Sequence, residues 1–166
     1  EVLAPSRTRL DVTDDAAVAA VFEDFQPTAV FNCAAFHNVE VCEREEDQAF
    51  AVNARAVKRL AARCSDAKLV HLSTNYVFDG TAAEPYGEDA LPNPRSIYAI
   101  SKLAGEHAAL AYAPGALVVR TDYAKEQPQN VAKFLAVYLR AWKWLNAHQA
   151  EGIAMMKKFY EQGGVS

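Results

Sequence analysis

A chain of 166 residues has the length of one domain, and 51% hydrophobic with 23% charged residues is the balance of a folded protein, not a disordered one. A net charge of −4, with no basic run interleaved with aromatics, excludes a nucleic-acid-binding protein. No apolar run reaches the roughly 18–20 residues of a membrane span, and the opening EVLAPSRTRLD has no basic stretch ahead of an apolar one, so neither membrane insertion nor export is expected.

In chain order, EVLAP (1–5) is a short apolar run of strand type. Thr13 is placed to cap a helix over 13–25, whose apolar residues recur at helical spacing. AVFNCAA (29–35), preceded by Pro27, reads as a strand. Residues 42–64 read as one long helix, acidic at its start and basic toward its end, as the helix dipole favours. KLVHLST (68–74) is a buried-type strand. A loop rich in Gly and Pro follows (79–94), then a helix through Tyr98 to about Ala113. Pro114–Gly115 stops it, and ALVVRT (116–121) is the next strand. Beyond Pro128 nearly everything is helical, with Trp142 and Trp144 read as aromatic anchors that pack a helix on the sheet. The three cysteines, Cys33, Cys42 and Cys64, are odd in number and lack CxxC spacing. They read as reduced thiols of a cytoplasmic protein, with neither a disulfide frame nor a metal site.

Apolar strands alternating with helices predict a parallel sheet covered on both faces, a doubly wound α/β fold. Ligands of such sheets sit at the carboxyl ends of the strands, here Asn32–Ala35 and Ser73–Tyr76. Tyr98 and Lys102, four residues apart, share one helix face near that end. An ammonium beside a phenol lowers the tyrosine pKa from its reference of about 10 and fits it for proton transfer. Taken alone, YxxxK is weak, since helices contain it by chance. Ser73 and Thr74, at the end of a buried strand, could hydrogen-bond the carbonyl that Tyr98 protonates. The small residues of NCAAF would let a flat cofactor pass close to the backbone, and Asp11 could accept from an adenine amino group.

LDVTD, NCAAFHNVEVCE, AVNARA, HLSTNYVFDG, PYGEDALPNP and YAISKLAGE, in this order, closely resemble the extended short-chain dehydrogenase/reductase family over about residues 1–121. The branch they resemble most is that of the dTDP-4-dehydrorhamnose reductases. The resemblance implies NAD(P)H-dependent reduction of a 4-keto sugar nucleotide. It makes Tyr98 the general acid, Lys102 the residue that lowers its pKa and holds the nicotinamide ribose, and Thr74 the carbonyl anchor. Asp11, Ala34 and Ala35 become cofactor contacts. Asn75 stands where that family often has Asp.

Two departures accompany the likeness. The family opens with a strand, a glycine-rich turn and a helix that hold the cofactor pyrophosphate, whereas the first glycine here is Gly80 and EVLAP matches the family's second strand. Several charge-assisted hydrogen bonds, each worth roughly 1.5–3 kcal/mol, go with that turn, so neither NADP nor NAD is expected to bind tightly. A homodimer could fill the place of the missing central strand. In addition, residues 118–166 resemble the C-terminal helices of periplasmic solute-binding proteins of the sulfonate/taurine type, the two patterns meeting at VVRT. The expectation is a chimeric α/β scaffold, engineered or recombined, with a truncated Rossmann-like part (1–121) and C-terminal helices (122–166) on the same sheet. Thr74, Tyr98 and Lys102 would be idle in it. The alternative is an active ketoreductase, and solute binding through the tail is the weakest reading. Arg7 and Arg9 do not decide between NAD and NADP.

Overall fold

The computed structural model describes residues 2–87, 89–152 and 154–155. By compactness the chain divides into residues 1–125 and 126–166. In the first unit three parallel strands, β1 (Ala29–Asn32), β2 (Lys68–Ser73) and β3 (Leu117–Arg120), lie in the order β1-β2-β3. Val30 stands opposite Leu69, and Val70 opposite Leu117. The helices that flank this open sheet are the crossovers parallel strands require. The result is an incomplete Rossmann-like α/β fold.

Helix α1 (Asp15–Phe25) starts one residue later than the sequence suggests. Asp14, not Thr13, is its cap, accepting from the backbone N–H groups of Ala16 and Ala17 at 3.1 and 3.0 Å. Thr13 instead donates its backbone N–H and its hydroxyl to Asp11. The expected long helix over 42–64 begins earlier, at Val39, and is broken. It runs as α2 (Val39–Arg44), α3 (Glu46–Phe50), a π-helical turn (Ala51–Arg55) and α4 (Ala56–Arg63). Asn38 caps α2 by accepting from the Val41 N–H at 3.0 Å. Helix α5 (Ile97–Tyr112) follows the loop after β2, with Ser96 accepting from the Ala99 N–H and the Glu43 carboxylate accepting from the Ile97 N–H at 2.8 Å.

The core forms where α4 and α5 meet the sheet: Val57, Ala61, Cys64, Leu69, Ala109 and Ala113, with Phe22 and Val30 packed against them. Small side chains at Ala61 and Ala109 let the helices approach the strands closely. The expected strand at EVLAP is not formed. Residues 2–5 are irregular and exposed, Val2 by 90%. The reason is that no strand among the described residues lies beside them, and unpaired backbone groups are satisfied by water.

The second unit holds α6 (Pro128–Ala147). Trp144 is not a buried anchor: it is 39% exposed and stacks on His148, the residue after the helix ends, with ring centroids 4.7 Å apart. The side chain of Trp142 lies outside the described residues, as do 156–166 of the expected helical tail. Among the described residues no helix is long and apolar enough to cross a membrane, and no cluster of His, Cys, Asp and Glu is arranged to hold a metal ion.

Candidate active site

The site is built where α5 lies against the carboxyl end of β2. Tyr98, Lys102 and Glu106 fall at i, i+4 and i+8, so one face of the helix presents all three. Each finds its partner on Leu72, Ser73 or Thr74. Tyr98, half-buried, has its phenol within the influence of Thr74. The Lys102 ammonium, 2% exposed, donates to the Leu72 carbonyl at 2.5 Å. The Ser73 hydroxyl donates to the Glu106 carboxylate. Thr74 is buried and also accepts from the Tyr76 N–H at 3.3 Å, while the Tyr76 ring meets Tyr98 edge to face at 5.8 Å.

The electrostatics differ from what spacing alone suggests. Tyr98 is held above its usual phenol pKa, because burial outweighs the Thr74 hydrogen bond that pulls it down; Cys42 and Tyr76 push it further up. Lys102 is not among the groups acting on it, so the expected lowering by Lys102 is not found. The ammonium is turned instead to the Leu72 carbonyl, and burial lowers its own pKa to about 8 against the opposing pull of Glu106 and Cys33. A phenol kept protonated is suited to give a proton.

The end of β1 reaches the same place. Cys33 acts on Lys102, and the Ala34 N–H donates to Asn32 Oδ1 at 3.2 Å. Asn32 in turn donates to Nδ1 of the fully buried His71 at 3.0 Å. Ala34 and Ala35 are half-buried and small, as close backbone approach requires. Asp11 stands apart in these contacts: its carboxylate is exposed and closed in a turn by Thr13, whose two hydrogen bonds hold its pKa below the usual range.

Several residues that organise the site were not singled out from the sequence. Asn53, fully buried in the π turn, donates to the Phe36 carbonyl and to Ser101 Oγ and accepts from the Phe36 N–H, all at 2.8–2.9 Å; Ser101 then donates to the Tyr98 carbonyl at 2.8 Å. It thereby ties the loop after β1 to the helix turn that carries Tyr98. Gly105 lies so close to that turn that a Cβ there would come within 2.1 Å of the Asn53 carbonyl oxygen. In the loop after β2, Asp79 gathers the Tyr86 hydroxyl at 2.6 Å, Thr81 and the Asn93 amide at 2.8 Å, which lowers its carboxyl pKa strongly.

The model of the RmlD substrate binding domain family matches residues 1–146, most of the chain. The chain belongs to this family. A dTDP-4-keto-6-deoxy-D-glucose reductase of Streptomyces niveus is 44% identical over 125 residues, covering 74% of this chain and 43% of that protein. Methionine adenosyltransferase 2 subunit beta of Danio rerio is 40% identical over 116 residues, covering 70% of this chain and 36% of that protein. The structure is similar to that of Bacillus anthracis dTDP-4-dehydrorhamnose reductase in complex with NADP, with TM-score 0.70 and 34% identity over 72% of this chain and 43% of that one. The chain therefore spans less than half the length of each of these three proteins. The family match runs past the VVRT junction to residue 146, so the tail's likeness to a solute-binding protein has no finding behind it.

The residues present fit one end of a nicotinamide dinucleotide. The ammonium of Lys102 and the small Ala34 and Ala35 suit a ribose and a flat ring beside the backbone.

Proposed function

We propose that this chain carries the proton-handling part of a nucleotide-sugar 4-ketoreductase, acting on dTDP-linked 4-keto-6-deoxy sugars, and that the 166 residues alone do not complete a turnover. The observation that carries the first half is the match of Tyr98 to Thr74 and of Lys102 to Leu72 along one face of α5. Thr74 orients the substrate carbonyl, and the Tyr98 hydroxyl gives its proton to the carbonyl oxygen. Lys102, with three donor protons and one hydrogen bond among the described residues, offers the others to ribose hydroxyls. A reduced nicotinamide, when bound, supplies the hydride. Membership of the family does not by itself carry this reading, since the Danio rerio relative bears the name of a subunit of a different enzyme.

The second half is supported by the span of these 166 residues, which cover 43% of the Streptomyces niveus relative, and by the exposed, irregular residues 2–5. As part of the same reading, a homodimer would pair a strand from a second copy with the open edge of β1, and light scattering of the purified chain checks it. The function itself is tested by calorimetric titration with NADPH and with NADH, followed by turnover of the keto sugar. Dissociation constants weaker than about 1 mM and no turnover are expected. Micromolar binding with turnover abolished in Tyr98→Phe overturns the second half and keeps the first. Turnover indifferent to Tyr98→Phe overturns both.

A further inference from the structure

Glu106 is a half-buried carboxylate outside the Thr74, Tyr98 and Lys102 set. It lies one helical turn beyond Lys102 on the same face of α5, and its carboxylate accepts from Ser73, the residue next to the one whose carbonyl holds the Lys102 ammonium. Two adjacent residues of β2 thus grip two oppositely charged side chains of α5. We infer that Glu106 is a positioning residue for Lys102, its carboxylate tethered by Ser73 so that the buried ammonium keeps an opposite charge beside it while seated on the Leu72 carbonyl. The inference rests on the reading of Lys102 as the lysine that holds the ribose.

The charge balance supports this geometry. Burial drives Lys102 toward its neutral form, and Glu106 is the first group opposing that; burial likewise raises the Glu106 pKa, with Ser73, Lys102 and His107 opposing. The other groups facing this pair are His71 on β2, kept neutral by burial, Cys33 at the end of β1, and Arg120, which stands opposite Ser73 on β3. Asn53 and Ser101, from the π turn and α5, are uncharged. A lysine that lost its carboxylate neighbour would deprotonate at lower pH and give up a donor proton that a ribose hydroxyl needs.

The test needs no cofactor. The chain, in a Cys33→Ser background, is labelled at lysine 13Cε and titrated by NMR from pH 6 to 11, with the Lys102 signal assigned by its loss in Lys102→Met. Glu106→Gln is expected to move the Lys102 midpoint down by about one pH unit or more. Coincident midpoints overturn the inference and leave Glu106 a filler of space. If Glu106→Gln does not fold, the reciprocal measurement decides: in Lys102→Met the 13Cδ midpoint of Glu106 rises, and an unchanged midpoint overturns the coupling. A chain that shows the coupled shift but turns over independently of Tyr98 sinks the ketoreductase reading and keeps the coupling. One that binds the dinucleotide without the shift does the reverse.

Discussion

β1 and β2 are both short parallel strands written in apolar letters, yet they sit in different surroundings. β2 is paired on both edges, with Leu69, Val70, His71 and Ser73 all essentially inaccessible. Among the described residues β1 is paired on one edge, and Phe31 is 50% exposed. An apolar run predicts a strand; it does not say how many neighbours the strand has. The consequence for chemistry is direct. Tyr98, Lys102 and Glu106 pack from α5 against the end of the enclosed strand, where burial shifts each of them, while β1 leaves the described sheet with an open edge.

Perturbations that deepen or erase this contrast can be ranked. The largest effect is expected at Gly105→Val. Its Cβ would collide with the Asn53 backbone, which has no room to give, so urea unfolding should show a loss of about 4 kcal/mol or no folded protein. Next comes the strand comparison itself. Leu69→Ala empties a fully buried site and should cost about 3 kcal/mol, whereas Phe31→Ala on the open strand should change stability by no more than about 0.5 kcal/mol. Equal costs would mean β1 is covered in solution.

Smaller, and spread over pH, is the effect of His71. Burial, with Lys102 adding to it, depresses its pKa to about 3 from a reference near 6.5. Between those values the unfolded chain binds a proton that the folded chain refuses, so stability falls progressively as pH drops from about 6.5 toward 3. In His71→Gln that part of the pH dependence should vanish from the thermal midpoints. A slope that survives the substitution would assign the acid sensitivity to other groups.

The motifs made the arrangement at Tyr98 legible for a simple reason. Helical spacing fixes which residues share a face, and the buried run KLVHLST fixes which strand receives them. The three strands after residue 25 and the limits of α5 followed from apolar runs and from Pro114–Gly115. What spacing could not carry was the direction of a charge. Tyr98 and Lys102 at i, i+4 read as an interacting pair, but a backbone carbonyl on the strand lies nearer the ammonium than the phenol does. The break in the helix over 42–64 was hidden because no Gly or Pro marks it; the π turn is set by Asn53 reaching across to the Phe36 backbone and to Ser101. EVLAP failed as a strand because pattern describes a segment's preference, while pairing requires a neighbour.

The close approach of Gly105 to the π turn has a kinetic consequence. With no side chain between them, the middle of α5 cannot lift from Ala51–Arg55 without breaking the Asn53 bond to Ser101 as well. Opening of that helix is therefore a shared event and not a local fraying. In deuterated solvent the amides of α5 from Ser101 to Ala109 and those of β2 should exchange last, and at a common rate, long after those of residues 2–11 have been replaced.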